Sequence, residues 1–353
     1  MTRHPVDPGA AALPGAGLFG LPHSREEAAV VCLPVPWEAT TSYGGGTAGG
    51  PAAILRASHQ VDLFDLRVER PYEAGIHLLP ADPRIAAWND EARALAEPII
   101  ALGGAIDGNA GLGAGRDRVN ELSARVNQLV EEEVAALFAE GRVPVVLGGD
   151  HSTPFGAIRA AAEMHPGLGI LQVDAHMDLR LAYEGFTWSH ASIMRNVLDR
   201  VPGVARLVQV GIQDFSEDEL ECASREGDRV RVFYDADLAS RRYDGEPWSR
   251  AVAEMAAALP AEVWISFDID GLDPKLCPHT GTPVPGGLEF SQATMLVAAV
   301  AQSGRRIVGF DLNEVSPAPD GADEWDANVG ARLLYQMAAW TLVSQGRREV
   351  RAR

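Results

Sequence analysis

Eight short apolar runs place the tightest constraint on how this chain of 353 residues can fold. Each run has four or five residues and is rich in Val, Ile and Leu; the runs lie at 29–33, 75–79, 143–147, 169–173, 207–210, 230–233, 263–267 and 307–310. Nearly continuous hydrophobicity over so few residues is typical of strands that are buried on both faces, as in parallel sheets. The runs therefore predict an α/β fold with a central parallel sheet.

Longer segments between these runs have apolar residues at helical spacing. They lie at 120–140, 247–259, 291–301 and 331–343. Helices that alternate with parallel strands cover both faces of the sheet, which predicts a three-layer αβα architecture. No internal repeat or linker interrupts the pattern, so we expect an irregular arm at 1–27, rich in Pro and Gly, and a single domain at 28–353.

Charge and composition exclude several classes of protein. The formal net charge of −19 argues against a nucleic-acid-binding protein, because phosphate contacts require clustered Lys and Arg. The sequence has no stretch of eighteen apolar residues, so we expect no membrane-spanning helix. Cys32, Cys222 and Cys277 have no paired spacing, which excludes a disulfide framework and a zinc ribbon. A cytoplasmic location fits these features best.

Three of the apolar runs lead directly into acidic and imidazole residues. The motifs are GGDHS at 148–152, DAHMD at 174–178 and SFDID at 266–270. In an extended chain alternate side chains share a face, so Asp174, His176 and Asp178 can point the same way, as can Asp268 and Asp270. In open α/β sheets ligands bind beyond the carboxyl ends of the strands. We therefore expect the three motifs to meet in one crevice.

Four carboxylates in one crevice would repel one another and lose hydration unless cations neutralised them. Two divalent ions carry four positive charges, which matches four Asp. Carboxylate oxygens with a minority of imidazole nitrogens favour Mn²⁺, with Ni²⁺, Co²⁺ and Fe²⁺ also compatible. A single Asp at a strand end is more often a turn former, and we assign that structural role to Asp150 and Asp273.

The three motifs, in this order, resemble those of the ureohydrolases, the arginase and agmatinase family, and the resemblance extends from about Val30 to the last helix. It implies an arginase/deacetylase-like fold, a binuclear Mn²⁺ centre and a homo-oligomer, either a trimer or a hexamer. By position, one ion would be bound by His151 and Asp178, the other by His176 and Asp270, with Asp174 and Asp268 bridging the two.

Two more residues acquire roles from this resemblance. His190 matches the family's proton-shuttling His, and Glu314 matches the Glu that holds the guanidinium group. A carboxylate can accept two parallel hydrogen bonds from a planar guanidinium, and His is suited to proton transfer near neutral pH. The implied catalytic set is therefore His190, Glu314 and Asp178, acting on a guanidinium carbon to release urea.

The sequence departs from the family where the substrate is selected. Arginases have an Asn where this chain has Arg180, so L-arginine is disfavoured. Agmatinases usually have PGTGTP where this chain has PHTGTP at 278–283, and Gly44 and Ala48 replace two expected Arg. Residues 178–194 look closer to the branch with bacterial guanidine hydrolases, which are nickel enzymes; the metal is therefore Mn²⁺ or Ni²⁺.

These departures favour a small cationic guanidino compound, with guanidine itself first and agmatine or guanidinobutyrate as alternatives. Trp188 either stacks on a flat cation or packs in the core. Arg180 is a candidate contact for the carboxylate of a guanidino acid. Two other hypotheses are less favoured: a non-catalytic subunit with this fold, because all six ligands are present, and a deacetylase-type enzyme, because that group uses a single zinc and a different set of motifs.

Overall fold

Eight parallel strands form the central sheet of the computed structural model, which describes residues 7–9, 12, 15–319, 321 and 323–352. Every predicted strand lies in this sheet, and the order is β2-β1-β3-β8-β7-β4-β5-β6. The strands are β1 (Val30–Val35), β2 (Ile76–Leu78), β3 (Val143–Gly148), β4 (Leu168–Val173), β5 (Val204–Ile212), β6 (Val230–Tyr234), β7 (Glu262–Asp268) and β8 (Arg306–Asn313).

The inner strands are buried on both faces, as their continuous apolar sequences predict. Every residue of β1, β3 and β4 is buried, whereas the edge strands β2 and β6 each have partly exposed positions. In β3, Val145 and Leu147 pack into one hydrophobic cluster and Val146 packs into another on the opposite face. The two clusters are the interfaces between the sheet and its two helical layers.

Ten α-helices are described, and they cover both faces of the sheet. One layer contains α1, α8, α9 and α10, with α7 beside them, and the other contains α2 to α6. The four predicted helices are confirmed within α3, α8, α9 and α10. The helices are α1 (Gly50–Ser58), α2 (Pro83–Ile100), α3 (Ala110–Ala139), α4 (Phe155–Met164), α5 (Ile193–Arg200), α6 (Glu217–Glu226), α7 (Asp235–Tyr243), α8 (Trp248–Ala258), α9 (Phe290–Gln302) and α10 (Trp325–Ser344).

Side-chain caps fix where several helices begin. The Asn109 side chain accepts hydrogen bonds from Gly111 N and Leu112 N, so α3 begins ten residues before the predicted segment at 120–140. Ser216 and Glu219 form a capping box at the start of α6, in which each side chain accepts from the other residue's backbone N–H. The resulting three-layer architecture agrees with the predicted αβα class.

The described part of the N-terminal arm is packed against the core. Leu18, Phe19 and Leu21 are buried, and the Phe19 ring meets the Tyr335 ring of α10 edge-on at 5.2 Å. Other positions of the arm lie outside the described residues, so its boundary at residue 27 stays a prediction. No helix in the described ranges combines the length and hydropathy needed to cross a membrane.

Candidate metal centre and substrate cavity

The carboxyl ends of four adjacent strands bring the predicted site residues together. Strands β3, β8, β7 and β4 are neighbours in the sheet although they are far apart in sequence. His151 follows β3, Asp174 follows β4, Asp268 ends β7 and Glu314 follows β8. The crevice predicted from the strand-end motifs is therefore present in the fold.

His151 is the centre of the first group of candidate ligands. Its Nδ1 atom lies 2.9 Å from Asp174 Oδ2, 3.2 Å from Asp178 Oδ2 and 3.3 Å from Asp268 Oδ2. All four side chains are buried, and Nδ1 forms no hydrogen bond of good geometry with any of the carboxylates. Several anionic oxygens converging on one imidazole nitrogen is the arrangement expected of a cation site.

His176 forms the second group, which shares Asp174 with the first. His176 Nδ1 lies 3.5 Å from Asp174 Oδ1 and 3.1 Å from Asp270 Oδ2. Asp174 therefore presents one oxygen to each group, as a bridging ligand would. Asp268 contacts the first group through Oδ2, while its Oδ1 accepts from Asp270 N at 2.9 Å, so its bridging role stays a prediction.

The charges of this cluster fit bound cations. Burial and the negative charge of Asp174 raise the pKa of Asp178 to about 7. Burial and the charges of Asp270 and Asp174 raise the pKa of Asp268 well above its usual value. Burial would lower the pKa of His151, but its carboxylate neighbours outweigh burial and raise it. Divalent cations would relieve this repulsion, and the oxygen and nitrogen donors suit Mn²⁺ or Ni²⁺, so the residues fit a binuclear metal centre.

A buried network orients the His151 ring from behind. His151 Nε2 lies 2.9 Å from Ser266 Oγ, which donates to Asp311 Oδ1 at 2.9 Å. Asp311 also accepts from Trp264 Nε1 at 2.5 Å and from Asn313 Nδ2 at 2.6 Å. A hydrogen bond at Nε2 leaves Nδ1 free to bind metal. Sequence reasoning missed Asp311, although an Asp inside an apolar strand was a usable signal.

Glu314 is held in an unusual backbone conformation beside the cluster. Its φ of 61° and that of Asp178, 56°, lie in the left-handed region that side chains other than glycine rarely adopt. Glu314 Oε1 accepts from His151 N at 3.0 Å, whereas the buried Oε2 has no hydrogen-bond partner among the described residues. Burial and the charge of Asp150 raise the Glu314 pKa well above its usual value. An unpaired buried carboxylate oxygen is suited to a cationic ligand.

A cavity of about 350 Å³ opens from the cluster to the surface. Burial, together with the positive charges of His176 and His151, lowers the pKa of His190 to about 4, so this imidazole is neutral at pH 7. The edge of the Tyr183 ring faces the His190 ring at 6.0 Å. Among the predicted site residues, the cavity is lined by His176, Asp178, Arg180 and His190.

Comparison with known proteins identifies the group to which this chain is related. A sequence model of the arginase family matches residues 28–339. The chain belongs to the arginase family. It is therefore a metal-dependent ureohydrolase that acts on C–N bonds of guanidino compounds, and the family's enzymes have binuclear metal centres.

Individual relatives agree with this assignment. The chain is 34% identical over 313 residues to an N(1)-aminopropylagmatine ureohydrolase of Thermus thermophilus, covering 88% of this chain and 89% of that protein. It is 29% identical to a guanidinobutyrase of Pseudomonas aeruginosa, covering 91% of each. The crystal structure of the agmatine ureohydrolase of Thermoplasma volcanium has the same fold, with a TM-score of 0.70, 24% identity and coverage of 94% and 95% of the two chains.

Of the two predicted substrate contacts of this arginase-family chain, one lines the cavity and the other does not. Arg180 lines the cavity that opens from the metal cluster. The Trp188 ring instead lies 4.8 Å from the Phe155 ring, with Arg200 Cζ 5.0 Å from it, and it lines a separate cleft between α3 and α4. This position matches the packing alternative for Trp188 and gives no support to stacking on the substrate.

The glycine-rich loop at 43–50 begins at the cavity mouth. Tyr43 lines the mouth and is 87% exposed. The Glu38 carboxylate accepts from Gly46 N at 2.6 Å, which fixes the far end of the loop. A Cβ at Gly44 would lie only 2.6 Å from Gly281 O, so the Arg expected from the family cannot fit in this loop conformation.

The two Asp residues assigned to turns are confirmed in that role. Asp150 Oδ1 accepts from Ser152 N at 2.9 Å, and Asp273 Oδ1 accepts from Lys275 N at 3.0 Å. The three cysteines are free and buried, in agreement with the predicted absence of a disulfide framework.

Proposed function

We propose that this chain hydrolyses a C–N bond of a small cationic guanidino compound and releases urea, with guanidine as the favoured substrate. The observation that carries the proposal is the Glu314 carboxylate, whose buried Oε2 atom is unpaired among the described residues. A Cβ at Gly281 would lie 3.3 Å from Oε2, so the lack of a side chain there keeps space open beside this oxygen. A guanidinium ion supplies both a positive charge and a flat shape.

The six strand-end residues would hold two divalent ions, Mn²⁺ or Ni²⁺. Such ions would generate hydroxide from water at neutral pH by lowering its pKa. Under this proposal one ion is held by His151 and Asp178 and the other by His176 and Asp270, with Asp174 and Asp268 shared.

The remaining residues bind the substrate and move protons. Glu314 receives an N–H of the guanidinium on Oε2, and its position is fixed because Oε1 already accepts from His151 N. Holding the guanidinium carbon beside the nucleophile makes the attack effectively intramolecular. The leaving nitrogen departs as ammonia or an amine after it takes, through Asp178 and His190, a proton that the attacking water gives up; both residues line the same cavity.

A panel of urea-release assays tests the proposal. We expect kcat/KM to be highest for guanidine among guanidine, methylguanidine, agmatine, guanidinobutyrate and arginine, each measured with Mn²⁺ and with Ni²⁺. Glu314→Gln should lower kcat/KM roughly thirtyfold, because a charge-assisted hydrogen bond contributes about 2 kcal/mol. Its metal content should stay unchanged. A clear preference for arginine would contradict the substrate class.

Agmatine and guanidinobutyrate are the second candidates, each favoured by a specific observation. The first matches the agmatine derivative in the name of the Thermus thermophilus relative. The second has a carboxylate that the cavity-lining Arg180 is able to pair with. The same assay panel ranks them.

We also infer that the chain forms a homo-oligomer, a trimer or a hexamer, in the cytoplasm. Support comes from exposed apolar side chains beside the cleft between α8, α9 and α10, since contiguous apolar surface marks interfaces. These side chains are Leu66, Met295 and Val350. Light scattering that gives the mass of a single chain would contradict this assembly.

A further inference from the structure

We propose that Arg180 is a specificity-determining residue that favours guanidino compounds with a carboxylate at the far end and disfavours those with an amine there. This inference rests on the proposed function and separates its two longer alternatives. Arg180 lines the cavity that opens from the metal cluster, and Glu314 lies beside the same cluster, so a guanidinium group bound at Glu314 could extend its tail along this cavity.

Arg180 is anchored in the cavity wall by a buried carboxylate. Its backbone N donates to Ala191 O at 3.1 Å, and its Nε atom lies 3.5 Å from Glu219 Oε2. Glu219 is only 3% exposed, and its carboxylate also accepts from Leu179 N at 3.1 Å and Ser216 N at 2.9 Å. Two backbone N–H groups therefore fix the Glu219 carboxylate, which in turn pairs with the Nε edge of the Arg180 guanidinium.

The Arg180 guanidinium also contacts an aromatic ring. Arg180 Cζ lies 5.2 Å from the centroid of the Tyr183 ring. The ring of Tyr183 in turn contacts His190, so the charge has a defined position relative to the proton-transfer residue. A cation held by a carboxylate and an aromatic ring loses little side-chain entropy when a ligand binds.

The two terminal nitrogens of Arg180 remain available for a ligand. In the described part of the chain, no hydrogen bond uses Nη1 or Nη2, and the side chain is 39% exposed. The fork formed by these nitrogens matches the two oxygens of a carboxylate. The same charge repels a terminal ammonium group.

Asp214 is the opposing charge in the cavity. It is exposed and lines the same mouth as Arg180; among the described carboxylates that line the cavity, it is the one that neither pairs with Arg180 nor belongs to the candidate metal cluster. Glu219 cannot have that role, because its charge is matched by Arg180 and by backbone N–H groups. The preference of the cavity is thus decided between Arg180 and Asp214, and the anchored fork of Arg180 favours an anionic tail.

Three compounds with equal guanidinium groups and four-carbon tails test this inference. Their tails end in a carboxylate (4-guanidinobutyrate), a methyl group (butylguanidine) and an amine (agmatine). For the metal-loaded enzyme we expect kcat/KM to fall in that order, by about tenfold from the first compound to the second, mainly through KM.

Two substitutions of Arg180 test whether its positive charge causes this order of kcat/KM values. Arg180→Gln should bring the three kcat/KM values close together, and Arg180→Glu should reverse the order. Arg200→Gln is the matched control, because Arg200 lies over Trp188 outside the cavity and should leave the order unchanged. Asp214→Asn should increase the preference for the carboxylate compound.

Different outcomes identify which idea fails. If none of the three compounds, nor guanidine, releases urea from metal-loaded protein, the proposed function itself is wrong. If urea is released but agmatine is preferred, or the order is the same in Arg180→Gln as in the wild type, the role of Arg180 is overturned while the proposed function stands.

Discussion

The metal end and the outer end of the cavity are built on different principles. At the inner end, six side chains come from the ends of β3, β4 and β7; five are buried and His176 is 27% exposed, and the Asp174, Asp268 and Asp270 carboxylates accept backbone hydrogen bonds. At the outer end, the exposed Tyr43 and the partly exposed Arg180 come from loops. The inner end supplies the side chains for one reaction. At the outer end, the loop residues can be substituted without disturbing the sheet. Chemistry and specificity are thereby separated along one cavity.

Removing an inner ligand should have the largest effect. Asp268→Ala deletes an oxygen that lies 3.3 Å from His151 Nδ1. We expect kcat to fall more than about a hundredfold, since loss of even an outer-sphere partner of a metal ligand costs 10- to 100-fold. Metal content, measured by mass spectrometry of the purified chain, should fall below two ions per subunit.

Asp273→Ala is the matched control for this substitution. Asp273 lies five residues further along the same segment, but among the described residues its side chain bonds only with Lys275. Its variant should keep both ions and most of its activity. Substantial turnover by Asp268→Ala would show that Asp268 is not an essential metal ligand, and it would weaken the contrast between the two ends of the cavity.

An intermediate effect is expected where the outer loop is tied to the inner end. Asp326, in the first turn of α10, accepts from His279 N at 2.9 Å and pairs with His279 Nδ1 at 2.9 Å. The loop held in this way carries Thr282, whose hydroxyl donates to Asp270 Oδ2 at 3.2 Å. Asp326→Ala should therefore raise KM about tenfold, because a lost charged hydrogen bond costs about 1.5 kcal/mol, while metal content stays at the wild-type value.

Asp323→Ala is the control that distinguishes loss of the His279 contact from an effect on the start of α10. Asp323 accepts a hydrogen bond from Trp325 N just before the same helix, and within the described ranges its side chain has no hydrogen bond or ion pair with the loop at 278–283. It should leave KM unchanged. Equal effects of the two substitutions on KM would show that helix stability, and not the His279 contact, controls the loop.

The same division explains what the sequence could predict. The inner strands are buried on both faces and have continuous apolar sequences, and the edge strands β2 and β6 keep enough apolar residues that all eight strands were predictable. Helix α2 was not, because alanines lie on its exposed face (Ala86 and Ala87) as well as on its buried face, so no apolar stripe is visible. The metal ligands follow strands at fixed spacing, which is a local signal. Arg180 with Glu219 and His279 with Asp326 are pairs of residues distant in sequence, and only the fold reveals them.

The smallest effect is expected at Trp188, which tests the boundary of the cavity. Its ring packs against Phe155 in the cleft between α3 and α4 and does not line the cavity. Trp188→Phe keeps an aromatic ring there, so KM for guanidino compounds should change less than about twofold, while the free energy of unfolding should fall by about 1 kcal/mol. Urea titration and steady-state kinetics measure the two quantities on one preparation. A large increase in KM with unchanged stability would place Trp188 in contact with the substrate and extend the specificity region to the far side of His190.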